Sequence, residues 1–230
     1  MTERQLLDNV RRMRAAGAPP KAIARALGVR PAVIAPLVRQ VAAEAPISPL
    51  EHAALAGCWI SPAWSRDLLV QSRDGWDDVD LGPDGPAGLV LVLVARGDRT
   101  DRVSVAGYLV DTFCLGVKDT IGPARVARCD LPMFVRRYFV AFPAPALRAS
   151  IELAQHVVHG AVAFAAGLGF APHPDFAAVR GHLGELSEPC AITFGRQGRP
   201  LYVRGPHDDP IAVMKTLKAA VGSDGFAVAA

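Results

Sequence analysis

Cysteine is scarce in this chain, and its placement excludes two function classes. The four copies, Cys58, Cys114, Cys129 and Cys190, lie far apart, and no two form a C-x-x-C pair. That spacing argues against a disulfide scaffold and against a zinc ribbon, and it fits a reducing cytoplasm. Long apolar runs are also missing. The longest, Leu89 to Ala95, is far too short to cross a bilayer, so no membrane partner is expected. The opening MTERQLLDNVRRMRAAG is charged throughout and has none of the apolar stretch that a secretory leader needs. Aromatic side chains make up only 7% of the chain, and no internal repeat or low-complexity tract is visible.

Apolar material is nevertheless plentiful. Of 230 residues, 51% are hydrophobic and 20% charged, which supports a packed core and argues against wholesale disorder. The length suits one domain with an appendage, or two small domains. Charge is divided unevenly along the chain. Residues 1–46 carry Arg4, Arg11, Arg12, Arg14, Lys21, Arg25, Arg30 and Arg39 against Glu3, Asp8 and Glu44, a net of +5. Residues 47–230 carry 17 basic and 19 acidic groups, a net of −2. A compact cationic head is an electrostatic footprint for phosphate. The segment EAPISPLEH, with Pro46 and Pro49, reads as the hinge between a head (1–46) and a body (47–230).

Within the head, PPKAIARALGVRPAVIAPLVRQ resembles a helix-turn-helix motif. Ala24 is the small residue where two helices touch, and Gly28 follows four residues later in the turn. Ile23, Leu27, Val29, Ile34 and Leu37 occupy the inward positions, and Pro31 falls near the first turn of the second helix. Thr2 to Ala15 would form a supporting helix with Leu6, Leu7 and Val10 buried. The resemblance implies nucleic-acid binding, DNA before RNA, and a homodimer is the default assembly. The outward positions Arg30, Pro31, Ala32, Ala35 and Pro36 offer only Arg30 for reading a base edge. Lys21, Arg25, Arg30, Arg39 and Gln40 are therefore expected to grip phosphates more than bases.

The body reads as α+β. GLVLVLVARG and DRVSVAGYLVDTF form a hairpin across Asp98-Arg99-Thr100, a helical region follows with its clearest helix at about 146–168, and CAITFG and PLYVRG form a second hairpin around RQGR. Asp208 or Asp209 then caps a last helix that opens near Pro210 and closes near Gly222. The acidic stretch with Asp74, Asp77, Asp78, Asp80 and Asp84 fits no calcium-loop spacing and reads as a solvated or disordered connection.

Three clusters in the body could carry chemistry. Asp111 falls among apolar neighbours at a strand end with Lys118 and Asp119 close behind, the residue types of a metal-dependent hydrolase or nuclease. The plainer alternative is a loop fixed by an Asp111 ion pair. Cys114 has no histidine near it in sequence and reads as core. Glu152, His156 and His159 share one sector of a helix wheel, and a divalent metal is their conceivable ligand, although no recognised metal spacing fits and no cofactor is expected. Arg196 and Arg199 interleave with Phe194 and Tyr202, a pattern suited to single strands. A protein-interaction adaptor is the remaining alternative. LVDTFCLGVKDT and HGAVAFAAGLGFAPHPDF together resemble a bacterial protein family that carries no assigned activity. That resemblance covers much of residues 85–205 and implies one natural domain there, with no function attached.

Overall fold

The computed structural model describes residues 3–15, 20–44, 53–82, 88–97 and 101–229. The chain forms two compact units, Met1–Ser48 and Pro49–Ala230. In the first, α1 (Glu3–Ala15), α2 (Pro20–Ala26) and α3 (Pro31–Glu44) close around Val10, Ile23, Ala24, Ile34 and Leu37. The α2–α3 turn needs a left-handed residue, and Gly28 supplies it at φ +64°. Leu27 and Val29 donate their backbone N–H groups back to Ile23 and Ala24, and both side chains pack on the same small core.

The second unit is α+β, as the sequence predicts. It contains β1 (Leu55–Ile60), β2 (Leu69–Val70), β3 (Leu89–Arg96), β4 (Arg102–Asp111), β5 (Gly116–Ala127), α4 (Leu131–Tyr138), β6 (Leu147–Arg148) and α5 (Ile151–Gly167). After these come α6 (Phe176–Val179), β7 (Ile192–Thr193), β8 (Leu201–Val203), α7 (Pro210–Val221) and β9 (Ala227–Ala229). Five strands make one antiparallel sheet in the order β5-β4-β3-β1-β6. The first hairpin is as expected, with Leu89 opposite Asp111 and Arg96 opposite Ser104.

Both faces of this sheet are covered. Val90, Val92 and Val94 face α5, where Leu153, Ala154, Val157, Val158 and Ala161 meet them, while Leu93 and Ala95 face Leu131, Val135 and Phe139 of the α4 region. Burial on two sides is why β3 reads as an unbroken apolar run rather than an alternating one. The third strand, β5, stands where the sequence reading expected helix. Its Gly122-Pro123 pair obscures the strand pattern, and Pro123 is tolerated because β5 is an edge. Gly122 has φ +96°, and a Cβ there would meet the Val105 carbonyl oxygen.

Three other expectations are corrected. The helix expected from about residue 146 starts at Ile151, because Ser150 caps it by accepting from Leu153 N–H at 3.0 Å and residues 147–148 pair with β1. The second hairpin does not form as such. Its two arms join different sheets: β7 pairs antiparallel with β2 and β8 pairs parallel with β9, leaving one bridge between Arg196 and Arg199. The acidic stretch, as far as Gly82, is anchored rather than disordered, although Asp74, Asp77 and Asp80 are exposed as in a solvated connection. Trp76 is buried, Trp64 Nε1 donates to the Asp77 carbonyl at 3.1 Å, and Asp78 accepts from Ser65 N–H and Oγ. Asp84 lies outside the described residues. At the far end, Asp209 caps α7 by accepting from Ile211 and Ala212 N–H at 3.1 Å, and Gly222 follows its last residue. No helix among the described residues is long and apolar enough to cross a membrane.

Candidate functional site

In the head, the inward residues leave one surface outward. Arg25, Arg30, Pro31, Ala32, Ala35, Pro36 and Gln40 are all exposed, as are Arg11 and Arg12 on α1. Arg11 is engaged with Asp8 at 3.0 Å and Arg12 with Asn9 at 2.6 Å, both within one helical turn. The side chains of Lys21 and Arg39 lie outside the described residues.

The Asp111, Lys118 and Asp119 cluster comes apart in three dimensions. Adjacent strand residues point to opposite faces, so Lys118 and Asp119 diverge. A bulge adds to this, since the β4–β5 register passes from Leu109↔Asp119 to Val110↔Val117 and leaves Lys118 without a partner in the ladder. Lys118 Nζ is 2.9 Å from both carboxylate oxygens of Asp208, a residue 90 positions away. Burial works against the charge on Asp208, but Lys118 and the Gly205 N–H outweigh it and hold the carboxyl below its ordinary value. The buried Asp111 turns into the loop after β4, where its Oδ1 accepts from Phe113 and Cys114 N–H at 2.9 Å. Burial raises its pKa to about 6, with those two N–H donors and the Lys118 charge opposing. The exposed Asp119 accepts from Thr120 N–H and lies 4.0 Å from His173. Burial pushes the Cys114 thiol up to about 12, which suits core rather than nucleophile.

Beside this ion pair lies a cleft of about 240 Å³, lined by Leu115, Val117 and Lys118, by the 170–174 loop with His173, and by Asp208. The loop is pinned to β5 by His173 N–H donating to the Val117 carbonyl at 2.8 Å. The Asp208 side of this cleft was hidden in the sequence. The signal was the doubled aspartate of GPHDDP: one caps α7, and the spare one reaches β5.

The metal-ligand trio is also rearranged. Among the described residues, the group whose ligand atoms lie within 4.8 Å of one another is Glu152, His156 and Glu188. His159 turns away, its Nε2 lying 2.8 Å from the Gly184 carbonyl. His156 is fully buried, whereas Glu152 and Glu188 are partly exposed. The polar sector is covered by chain from the 182–194 region, packed closely enough that a Cβ on Gly160 would fall 2.6 Å from Cys190 Sγ. A cation is already supplied from within. Arg73 Nη1 bonds Glu152 Oε1 and Glu188 Oε1, lies 3.4 Å from His156 Nε2, and its guanidinium carbon stands 5.2 Å from the Trp76 ring centroid. The hydrogen bonds also assign the imidazole tautomer. Ala191 N–H donates to Nδ1 at 3.0 Å, so a neutral His156 carries its proton on Nε2 and donates it to Glu188 at 3.1 Å.

Of the two body arginines, Arg196 is exposed and 3.2 Å from Asp67, while Arg199 donates to the carbonyls of Asp224 and Phe226. Arg199 thus fastens the β9 end. No family model, curated protein or solved structure matches the chain.

Proposed function

We propose that the chain is a nucleic-acid-binding protein with a helix-turn-helix head that grips DNA mainly through phosphates. The observation that carries this reading is the α2–turn–α3 geometry. Ala24 is 2% exposed at the helix contact, Gly28 turns at φ +64°, and Ile34 and Leu37 anchor α3 so that Arg25 and Arg30 stand on the outer surface. Pro31, Ala32, Ala35 and Pro36 on that surface offer no side-chain hydrogen bond to a base edge, which favours backbone contact over sequence readout. The body serves a regulatory or accessory role in this reading, sensing, docking or dimerising.

The test is fluorescence anisotropy with random-sequence duplex DNA across a salt series, using the full chain and the double variant Arg25→Gln/Arg30→Gln. Each lost phosphate contact lowers the slope of log affinity against log salt by about 0.9, so the double variant is expected to lose a slope of about 2. An unchanged slope rejects the head as the phosphate grip. Salt-insensitive binding by both chains would instead favour a protein-interaction adaptor.

A further inference from the structure

A second cleft, of about 360 Å³, lies in the body along β1, β6 and α4, remote in sequence from the head. Ala56, Trp59, Arg128, Leu131, Pro132, Val135 and Arg148 line it, and none of these side chains is acidic. Trp59 and Arg148 are directly opposite each other on neighbouring strands, and the Arg148 guanidinium carbon stands 4.8 Å from the Trp59 ring centroid. Gly57 makes room for this stack, because a Cβ there would lie 2.6 Å from Arg148 Nη1. Stacking uses the face of the guanidinium and leaves its N–H donors directed outward in the plane. Arg148 donates none of them to a protein group among the described residues. It is an arginine held in place, with its hydrogen-bonding capacity unspent.

The stretch of sequence that runs through α4 into β6 is basic. Residues 128–148 carry Arg128, Arg136, Arg137 and Arg148 against Asp130 alone, a net of +3 inside a body whose total is −2. Arg136, Arg137 and Arg148 form no ion pair among the described residues. The remaining lining is apolar: Ala56, Leu131, Pro132 and Val135. A cationic rim over an apolar floor, at the small end of the roughly 300–1,000 Å³ range of ligand clefts, suits a ligand that is anionic at one end and flat and weakly polar at the other.

We propose that this cleft binds a nucleoside phosphate, its phosphate on Arg148, with the Arg128 charge on the same rim, and its sugar and base over the apolar floor. A free nucleotide and one unit of a single strand share that chemistry. The site stands apart from the helix-turn-helix reading and does not depend on it.

The test titrates the full chain with AMP, a short oligoadenylate and inorganic phosphate, following tryptophan emission, since Trp59 lies under Arg148 whereas Trp64 and Trp76 are buried. AMP and the oligoadenylate are expected to change the emission, and Arg148→Gln to weaken both by about tenfold or more, the loss of one charge-assisted fork. Arg148→Lys, which keeps the charge without the planar fork, is expected to recover only part of that loss. Oligoadenylate binding far tighter than AMP identifies a strand as the source, and comparable affinities identify a free nucleotide. The proposal is overturned if neither ligand alters the emission, if Arg148→Gln binds as well as the parent chain, or if inorganic phosphate binds as tightly as AMP. Arg25→Gln/Arg30→Gln is expected to leave AMP binding intact, so failure of the head reading and failure of this one are separable.

Discussion

Asp111 carries the sharpest consequence at the scale of a single residue. Its folded pKa of about 6 lies above the ordinary 3.8, so the native state holds the proton more tightly than the unfolded chain does. The associated stability is present in full below about pH 4 and is lost as pH rises through about 6. Two units correspond to about 3 kcal/mol. Asp111→Asn removes this titration while keeping an oxygen for the Phe113 and Cys114 N–H groups. Urea unfolding at several pH values is therefore expected to show the parent's stability relative to the variant falling by about 3 kcal/mol between about pH 4 and pH 7. A pH-independent difference would mean that Asp111 is no burial-shifted carboxyl. His156 teaches the complementary lesson. On a helix wheel it looks like a ligand beside Glu152, but its two nitrogens are taken up by Ala191 N–H and Glu188.

At the scale of elements, local signals proved readable wherever local chemistry decides the outcome. An aspartate before Pro210, Asp208 or Asp209, announced the start of α7, and it is the Asp209 carboxylate that accepts from two of the helix's first N–H groups. Asp209→Ala is expected to cost about 1 kcal/mol and Asp209→Ser much less, checked by thermal or urea melts of the two variants. A variant as stable as the parent would show the cap to be redundant. The β3–β4 hairpin was readable for the same reason, its arms being two runs of strand formers close together in sequence, with β3 ending at Arg96 and β4 beginning at Arg102. The edge strand β5 was not, because Gly122-Pro123 breaks its pattern and its pairing with β4 is what holds it extended. PLYVRG was correctly strand-like in LYV, yet its partner is β9, beyond the whole of α7. Strand propensity shows that a segment is extended, and only the packed sheet shows beside what.

For the whole molecule, the free thiols report on packing. Cys58 and Cys114 are buried with their pKa values raised by burial to about 12, Cys190 is half-buried and also raised by burial, and Cys129 is exposed. A bulky disulfide reagent is expected to label Cys129 rapidly, Cys190 slowly, and Cys58 and Cys114 only as the body unfolds. Rapid labelling of Cys58 in the native protein would contradict the two-sided cover of the sheet.

By itself the sequence determined the cationic head with its small-residue and glycine spacing, the α+β class of the body, the first hairpin and the capped last helix. These depend on interactions within a few residues, or on composition, and both are written along the chain. Tertiary structure alone decided that Lys118 pairs with Asp208, that Arg73 joins Glu152 and Glu188 beside His156, and that Arg148 lies over Trp59. Each of those pairings spans roughly 80 to 115 positions. Residues that far apart meet only after the sheet has closed and both of its faces are covered, and no periodicity along the chain records which charged side chains will then stand within reach of one another.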